Sequence, residues 1–460
     1  MSTRTSPLRH LLAIATLGAC SPGADEDAAS TADAESSPSD GASSSGASTS
    51  GSTTMGGAGP STASDSSPTD PASTSADGTD DTAPDPVGPG GCAGDGEPLT
   101  ALEQGIAELP ADTWWTAADT KLRAVCPPDR SDYMCRSVVG AWSGGAWDPV
   151  HRQMLIFGGG HGDSSDNSLY AFDLGTLTWA RLTEPSPAEM KDADPLPDGQ
   201  PASRHTYDGL QYLAGAQRLF AWGGSQWQNG GITNRTWLFD HDAGWHDTGV
   251  QPPMSFTYAH ATAYDPGTDR VFMHHDYGLH VYEPAANTWT TLQDYGVPPY
   301  WPRYSISGDY RGVVDTSRDL LWFIGARLYL VYDLANGVHV TDEWITEGGG
   351  EFTNAAAVAG HDEQLIHTGG AAIIEATGPG VDYDPKADAL VAWAGGAPWR
   401  LDLESKTWIE LSADGAPVAA QESGGTYGRW RYVPRVNAFL LVNDVDQDVV
   451  FYKHSAACGP

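Results

Sequence analysis

The stretch Met154-Leu155-Ile156-Phe157-Gly158-Gly159 decides the fold when it is considered together with the residues from there to Trp179. After a polar loop comes a second apolar segment, Leu169-Tyr170-Ala171-Phe172-Asp173, and Trp179 lies six residues beyond the acid. Short runs of aliphatic and aromatic residues that are bounded by glycine are typical of β-strands. The stretch therefore predicts two paired strands, with a third strand beginning at the tryptophan.

The same series recurs along the chain, which indicates a repeat protein. Five further copies, two of them complete and three degraded or cut short, begin at Leu219, Val271, Leu320, Leu390 and Tyr432. Each copy predicts a four-stranded sheet. Because one such sheet cannot bury both of its faces by itself, the copies must stack around a common axis.

An apolar strand, a glycine pair, an aromatic residue next to an acid and a tryptophan about six residues later resemble the kelch repeat, the blade of galactose-oxidase-like β-propellers. The resemblance covers about Thr113 to Tyr452, and the period of about 50 residues is the one expected for kelch. It implies an all-β fold, namely a kelch-type β-propeller of six blades. A seventh, irregular blade between Trp344 and Gly380 stays open as an alternative.

The two ends of the repeat region predict how the ring closes. The sixth copy lacks its outer tryptophan strand, whereas Thr113-Trp114-Trp115-Thr116 is such a strand without a sheet. We therefore expect the N-terminal strand to complete the C-terminal blade, which would remove two exposed sheet edges. The role of the insertion at 347–380 stays open.

Residues 1–20 predict a secretory signal peptide. A basic start precedes the apolar run Leu11-Leu12-Ala13-Ile14-Ala15, which is too short to span a bilayer. The segment Leu17-Gly18-Ala19-Cys20 resembles a bacterial lipobox, which implies lipidation of Cys20, and Ser21 implies sorting to the outer membrane. We expect an extracytoplasmic lipoprotein of the bacterial cell envelope, at the outer membrane or the cell surface. An ordinary signal peptide with an incidental cysteine is the alternative.

Residues 21–91 consist almost entirely of Ser, Thr, Gly, Ala, Pro and Asp, without Lys or Arg. Such a segment has too little apolar surface to offset the entropy of ordering, so it predicts a disordered tether before a propeller domain at residues 92–460. The formal net charge of −36, from 60 acidic and 24 basic residues, argues against nucleic acid as a partner and against membrane contact other than through the lipid. We expect a monomer.

The cysteines predict two disulfides in an exported chain. With Cys20 assigned to the lipid, four cysteines remain, and we expect Cys92 to pair with Cys458 and Cys126 to pair with Cys135. None of the four shows the spacing of a zinc finger, so we expect no thiolate metal site. All four lie near the ends of the domain, which argues against the copper-radical centre of galactose oxidase.

Candidate functional residues can be chosen from the geometry of a propeller. The segments before the innermost strands and the loops between second and third strands meet at one axial face, however far apart they are in sequence. The first four blades place histidine, tyrosine, tryptophan and arginine there: His161, Arg204, His205, Trp227, Tyr258, His260, His275, Tyr277, Arg303 and Tyr304. Loops ordinarily use Ser, Asn, Asp and Gly, so this concentration predicts a functional rim.

Two functions suit this rim. The first is binding of a glycan or a protein partner, in which aromatic side chains such as Trp227, Tyr277 and Tyr304 stack on a ligand while Arg303, His260 and His275 orient it. Many kelch propellers are binding modules, and the fold alone does not imply chemistry.

The alternative is a polysaccharide lyase that acts on uronic-acid glycans by β-elimination. The loop with His161 and the Arg204-His205 segment look like loops in propeller-type polysaccharide lyases, the ulvan lyases among them. This resemblance implies that His161 and His205 are base or polarising groups, Tyr258 a proton donor, and Arg204 or Arg303 the carboxylate clamp. Asp163 would orient the His161 imidazole or serve only as a turn residue.

A metal site at the rim is the third possibility. His274, His275, Asp276, His161 and His260 carry ligand groups that suit zinc or copper. Adjacent histidines on a strand point to opposite faces, however, so only one of His274 and His275 can face the rim. We therefore expect no metal there, and the sequence identifies no cofactor.

Overall fold

The computed structural model describes residues 97–254, 260–275, 278–294, 309–326, 328–334, 345–346, 364–365, 369–411 and 415–456. The predicted signal peptide and tether lie outside these residues, as do Cys20, Cys92 and Cys458. In the described part of the chain the fold is all-β, with only three short α-helices: α1 (Ala101–Ala107), α2 (Asp132–Gly140) and α3 (Ala371–Ile374). None of the helices in that part is long and apolar enough to cross a membrane.

The first half of the chain supplies one strand of blade 6, β1, and then forms three four-stranded antiparallel sheets. In chain order the strands are β1 (Thr113–Thr116), β2 (Gly145–Asp148), β3 (Gln153–Ile156), β4 (Tyr170–Asp173), β5 (Thr178–Arg181), β6 (Arg204–His205), β7 (Leu210–Leu213), β8 (Arg218–Trp222), β9 (Ser225–Gln226), β10 (Thr236–Asp240), β11 (Gly244–Asp247), β12 (Ala261–Asp265), β13 (Arg270–His275), β14 (Gly278–Glu283) and β15 (Thr288–Asp294). Blade 1 is β2–β5, blade 2 is β7, β8, β10 and β11, and blade 3 is β12–β15. The short strands β6 and β9 pair with each other and form a separate two-stranded sheet.

The second half supplies the other three blades. Its strands are β16 (Arg311–Asp315), β17 (Leu320–Gly325), β18 (Leu328–Asp333), β19 (Ile345–Thr346), β20 (Gln364–Leu365), β21 (Gly380–Asp384), β22 (Ala389–Trp393), β23 (Trp399–Asp402), β24 (Thr407–Glu410), β25 (Trp430–Val433), β26 (Ala438–Leu441) and β27 (Val450–Lys453). Blade 4 shows three strands, β16–β18, within the described residues; blade 5 is β21–β24; and blade 6 is β25–β27 completed by β1. The molecule is thus a six-bladed β-propeller, as the repeats predict, and β19 and β20 form a separate two-stranded ribbon.

Alternation along each strand explains why the copies need one another. In β3, Met154 and Ile156 pack against blade 6, while Leu155 and the following Phe157 pack against blade 2. Successive side chains of a strand point to opposite faces, so an uninterrupted apolar run serves both neighbours. The same holds all round the ring: six apolar clusters each join two adjacent blades.

The ring closes as predicted from its two ends. Strand β1 pairs with β27 in antiparallel register, with Trp114 opposite Tyr452. The segment before β1 is also fastened to blade 6, because the buried Glu103 carboxylate accepts a hydrogen bond from Arg435 Nε at 2.7 Å. The predicted disulfide between Cys126 and Cys135 is confirmed, with 6.0 Å between the two Cα atoms, and it ties the segment after β1 to α2.

The ring has two faces that differ in what they carry. We call the end at which the innermost strands β2, β7, β12, β16, β21 and β25 begin the upper face, and the end at which these strands finish the lower face. Beneath the upper face, the buried Asp208 carboxylate accepts hydrogen bonds from Arg311 Nη1 at 2.5 Å and Gly312 N at 2.8 Å. This ion pair links blade 2 to blade 4 beneath the upper face.

Candidate functional site

Two of the predicted residues meet at the upper face. His161 lies in the loop between β3 and β4, and His205 lies in β6, just before β7. Their rings are in edge contact, with 5.6 Å between centroids. The backbone brings them together because His161 N donates to Ser225 O at 3.3 Å, and Ser225 is the strand partner of His205.

Gly160 is the residue that lets the loop approach so closely. Its φ is +81°, and a Cβ at this position would collide with the backbone of Arg204. Only glycine adopts such a conformation without strain and without filling that space. The predicted glycine-rich loop therefore has a physical role, which is to hold the exposed His161 against β6.

Asp163 organises this cluster. Its Oδ2 lies 2.8 Å from His205 Nε2, and its Oδ1 accepts a hydrogen bond from the Tyr133 hydroxyl at 2.8 Å. The carboxylate therefore orients His205 rather than His161. The sequence predicts Asp163 as a partner for the imidazole of His161, whereas the structure pairs it with His205.

Three aromatic rings border the cluster, and none of them was predicted as a site residue. Tyr133, at the start of α2, is 60% exposed, and Trp142, just after α2, is 37% exposed. The ring centroid of His205 lies 5.1 Å from that of Trp142 and 6.0 Å from that of Tyr207. Tyr207 follows His205 by two residues, so the sequence carried a signal for it; Tyr133 and Trp142 lie outside the repeats and carried none.

The electrostatics of the cluster favour a neutral His205. Burial lowers the pKa of His205 because an imidazolium loses hydration there, and the nearby His161 adds to the effect; the hydrogen bond to Asp163 and its charge act in the opposite direction. The hydrogen bond to Asp163 raises the pKa of the Tyr133 phenol, since ionisation would place two negative charges together. At neutral pH the surface thus presents a carboxylate, a fixed neutral imidazole and the exposed ring of His161.

Arg204 does not belong to this surface. Its side chain is fully buried, Nη2 donates to Asp194 Oδ1 at 2.7 Å, and Nε donates to Ala202 O at 3.0 Å. Trp227 is also buried, and its Nε1 donates to Ala188 O at 3.3 Å. The structure therefore uses both side chains to hold the irregular chain between blades 1 and 2.

His260 and His275 are buried as well. The His260 ring packs against Trp222 with centroids 4.6 Å apart, and it also lies 6.0 Å from Tyr207. His275 Nε2 lies 2.9 Å from His280 Nε2, and burial lowers the pKa of His275 to about 2. Neither is exposed at the rim in this structure, and the predicted residues Tyr258, Tyr277, Arg303 and Tyr304 lie outside the described residues.

The cluster also has donor atoms that suit a metal ion. One ligand atom each from His161, Asp163 and His205 lies within 4.8 Å of the others. Two imidazoles and a carboxylate are an accepted zinc ligand set. Loss of the hydrogen bond between His205 and Asp163 would be the cost of placing an ion between them.

Comparison with known proteins identifies no family and no function for this chain. No protein-family profile matches the chain, and no curated protein matches it. Among solved structures it is similar to a structural-genomics protein of unknown function from Bacteroides thetaiotaomicron VPI-5482, with 10% sequence identity, a TM-score of 0.39, and coverage of 75% of this chain and 73% of that one. A likeness at this level carries no argument.

Proposed function

We propose that the chain is an exported propeller, lipid-anchored at Cys20, that binds a glycan at its upper face. The observation that carries this proposal is the position of two exposed aromatic rings at the cluster: Tyr133, which donates to Asp163, and Trp142, which packs against His205. The apolar face of a sugar ring stacks on aromatic side chains, while carboxylates and imidazoles bond its hydroxyl groups. The aromatic rings and polar groups required for this are adjacent here.

The charge of the surface favours a neutral saccharide. Arg204, one of the two arginines suggested as a clamp for a ligand carboxylate, is occupied by Asp194. An acidic sugar approaching the cluster would meet the Asp163 carboxylate, in a chain whose formal net charge is −36. Like charges weaken such an encounter, whereas a neutral sugar avoids the penalty.

Glycan-array screening of the full chain, followed by calorimetry with the best neutral and uronic-acid oligosaccharides, tests the proposal. Replacing Trp142 by Ala removes a stacking face, and we expect affinity to fall about tenfold. Ile409→Ala is the matched control, because Ile409 has the same 37% exposure on the outer strand of blade 5. Absence of glycan binding by the wild-type chain, or equal affinity in the two variants, would contradict the proposal.

A second candidate function, β-elimination from a uronic-acid glycan, is favoured by one observation. His205 is held by Asp163 next to the exposed ring of His161, an arrangement that suits proton transfer. In this reaction a base removes the proton from the carbon next to the carboxyl group, the bond to the leaving oxygen breaks, a carbon–carbon double bond forms, and an acid protonates the leaving oxygen. His161 and His205 are the candidates for these proton transfers.

The lyase alternative has its own assay. Incubation with uronic-acid polysaccharides would give an unsaturated product that absorbs in the ultraviolet. We expect His205→Asn to abolish turnover while Ile409→Ala keeps it. A wild-type chain that binds such a glycan without producing absorbance would leave binding as the function.

A further inference from the structure

A second group of two histidines and one aspartate lies on the lower face, away from the proposed glycan site. Asp148 ends β2 of blade 1, His151 lies in the turn after it, and His241 lies in the turn between β10 and β11 of blade 2. Asp148 Oδ2 is 2.8 Å from His151 Nδ1 and 3.0 Å from His241 Nε2. The two imidazole rings are in contact, with centroids 3.7 Å apart.

Three other blades have an aspartate at the position of Asp148, and these residues show its ordinary structural role. Asp265, Asp315 and Asp384 also end innermost strands, and each accepts one or two backbone N–H groups of its turn through Oδ1. The second oxygen then binds a single side chain: Thr268, Arg318 or His454. Capping the turn and satisfying a buried carboxylate therefore requires one partner.

Blade 1 departs from this pattern. Asp148 Oδ1 accepts from Val150 N and His151 N at 2.9 Å, as in the other blades, but two imidazole nitrogens converge on Oδ2. One of them comes from a different blade. The second histidine exceeds what the turn requires.

The spacing suits a tetrahedral metal ion. Zinc bonds to histidine nitrogen and carboxylate oxygen are each about 2.0–2.2 Å, so ligand atoms lie roughly 3.3 Å apart around the ion. The observed separations of 2.8 and 3.0 Å need to open by only a few tenths of an ångström. The side chains of His151 and His241 are 39% and 18% exposed, which leaves solvent access for a fourth ligand such as water.

We propose that Asp148, His151 and His241 bind one divalent transition-metal ion of the zinc class. The ion would link the inner turn of blade 1 to the outer turn of blade 2. Ligand binding at the upper face does not depend on it, so the two proposals stand or fall separately.

The test uses the full chain, stripped of metal with a chelator and then titrated with Zn²⁺ by calorimetry and with Co²⁺ by visible absorption. We expect intense bands of four-coordinate Co²⁺. His241→Gln and His151→Gln should each remove one equivalent of bound ion or weaken its binding roughly 100-fold or more. Both leave Asp148 in place to cap its turn, so the fold is expected to survive.

Two histidine controls make the outcome specific. His246→Gln changes an exposed histidine in β11, close to His241 in sequence, and His161→Gln changes the upper-face cluster. Both should keep the ion that His241→Gln loses. A wild-type chain that binds neither metal, or metal binding lost in His161→Gln and kept in His241→Gln, would overturn the proposal.

Discussion

Each face of the propeller carries a cluster of two histidines and one aspartate, but in different settings. On the upper face, Asp163 contacts His205 and the exposed Tyr133; on the lower face, Asp148 contacts two histidines and the backbone of its own turn. The Asp163 side chain is 24% exposed, whereas that of Asp148 is fully buried. The remaining partners of each carboxylate differ: Asp163 also accepts a hydrogen bond from the exposed Tyr133, whereas Asp148 caps its own turn.

The difference teaches that a histidine and aspartate cluster in a propeller cannot be assigned from composition. The lower-face aspartate belongs to the repeat itself, since three other blades have it at the same place. The upper-face aspartate belongs to a loop and to one blade. We therefore expect substitutions on the lower face to change stability, and substitutions around the upper-face cluster to change binding.

The largest effect is expected for Arg204, which lies close to the upper-face cluster but is built into the interior. Arg204→Ala would leave the Asp194 carboxylate buried without its guanidinium, so we expect the free energy of unfolding to fall by about 3–5 kcal/mol. Arg218→Ala is the control, because its pair with Asp240 is exposed to solvent, and such surface pairs contribute little to stability. Urea denaturation measures both; similar losses would show that Arg204 is not a structural residue.

The second-largest loss of stability is expected for Asp148→Ala, measured in the presence of a chelator. The change removes the acceptor for two turn N–H groups and for two imidazoles, and we expect a loss of about 2–3 kcal/mol in the free energy of unfolding. Asp163→Ala is the comparison on the upper face and should cost about 1 kcal/mol or less. If Asp163→Ala proved the more destabilising, the division of roles between the two faces would be reversed.

Part of this division could be predicted from the sequence, and part could not. The repeats specify the blades, the ring closure through Thr113–Thr116, and the meeting of His161 with His205, because all of these follow from strand alternation and loop position. The pairing of Arg204 with Asp194 depends on an irregular segment that no periodicity describes.

The lower-face cluster illustrates the other limit. His151 and His241 are 90 residues apart and lie in turns, where each can be read as an ordinary polar residue. Only the stacking of blade 1 on blade 2 places both imidazoles at one oxygen. Tyr133 and Trp142 were missed for a related reason, since the segment that carries them lies outside the repeats.

Acid is expected to destabilise the fold through His280, a buried histidine of blade 3 that belongs to neither the upper-face nor the lower-face cluster. Burial lowers the pKa of His280 to about 4, although the Asp294 carboxylate opposes this. Above the ordinary histidine pKa of about 6.5, both folded and unfolded chains carry a neutral His280; below it, only the unfolded chain takes up the proton, so stability falls as the pH falls. We therefore expect His280 to lower the free energy of unfolding by about 2 kcal/mol by pH 5.

Urea denaturation between pH 8 and pH 5 measures this effect as the difference between the wild type and His280→Gln. The variant should lose less stability on acidification. His246→Gln, at an exposed position, should behave like the wild type. Identical pH dependence in the wild type and His280→Gln would exclude His280 as a source of acid lability.

The smallest effect is expected for Tyr133→Phe, which keeps the exposed ring and removes only the hydroxyl that donates to Asp163. Because the bond lies at the surface, we expect stability to change by less than about 0.5 kcal/mol. The released Asp163 oxygen would be free to rotate away from a bound sugar, so glycan affinity should fall a few-fold, which corresponds to about 1 kcal/mol. Calorimetry of Tyr133→Phe beside Trp142→Ala separates orientation of the carboxylate from stacking: an unchanged affinity in Tyr133→Phe would mean that Asp163 does not contact the ligand, while a loss as large as that of Trp142→Ala would place the carboxylate at the centre of recognition.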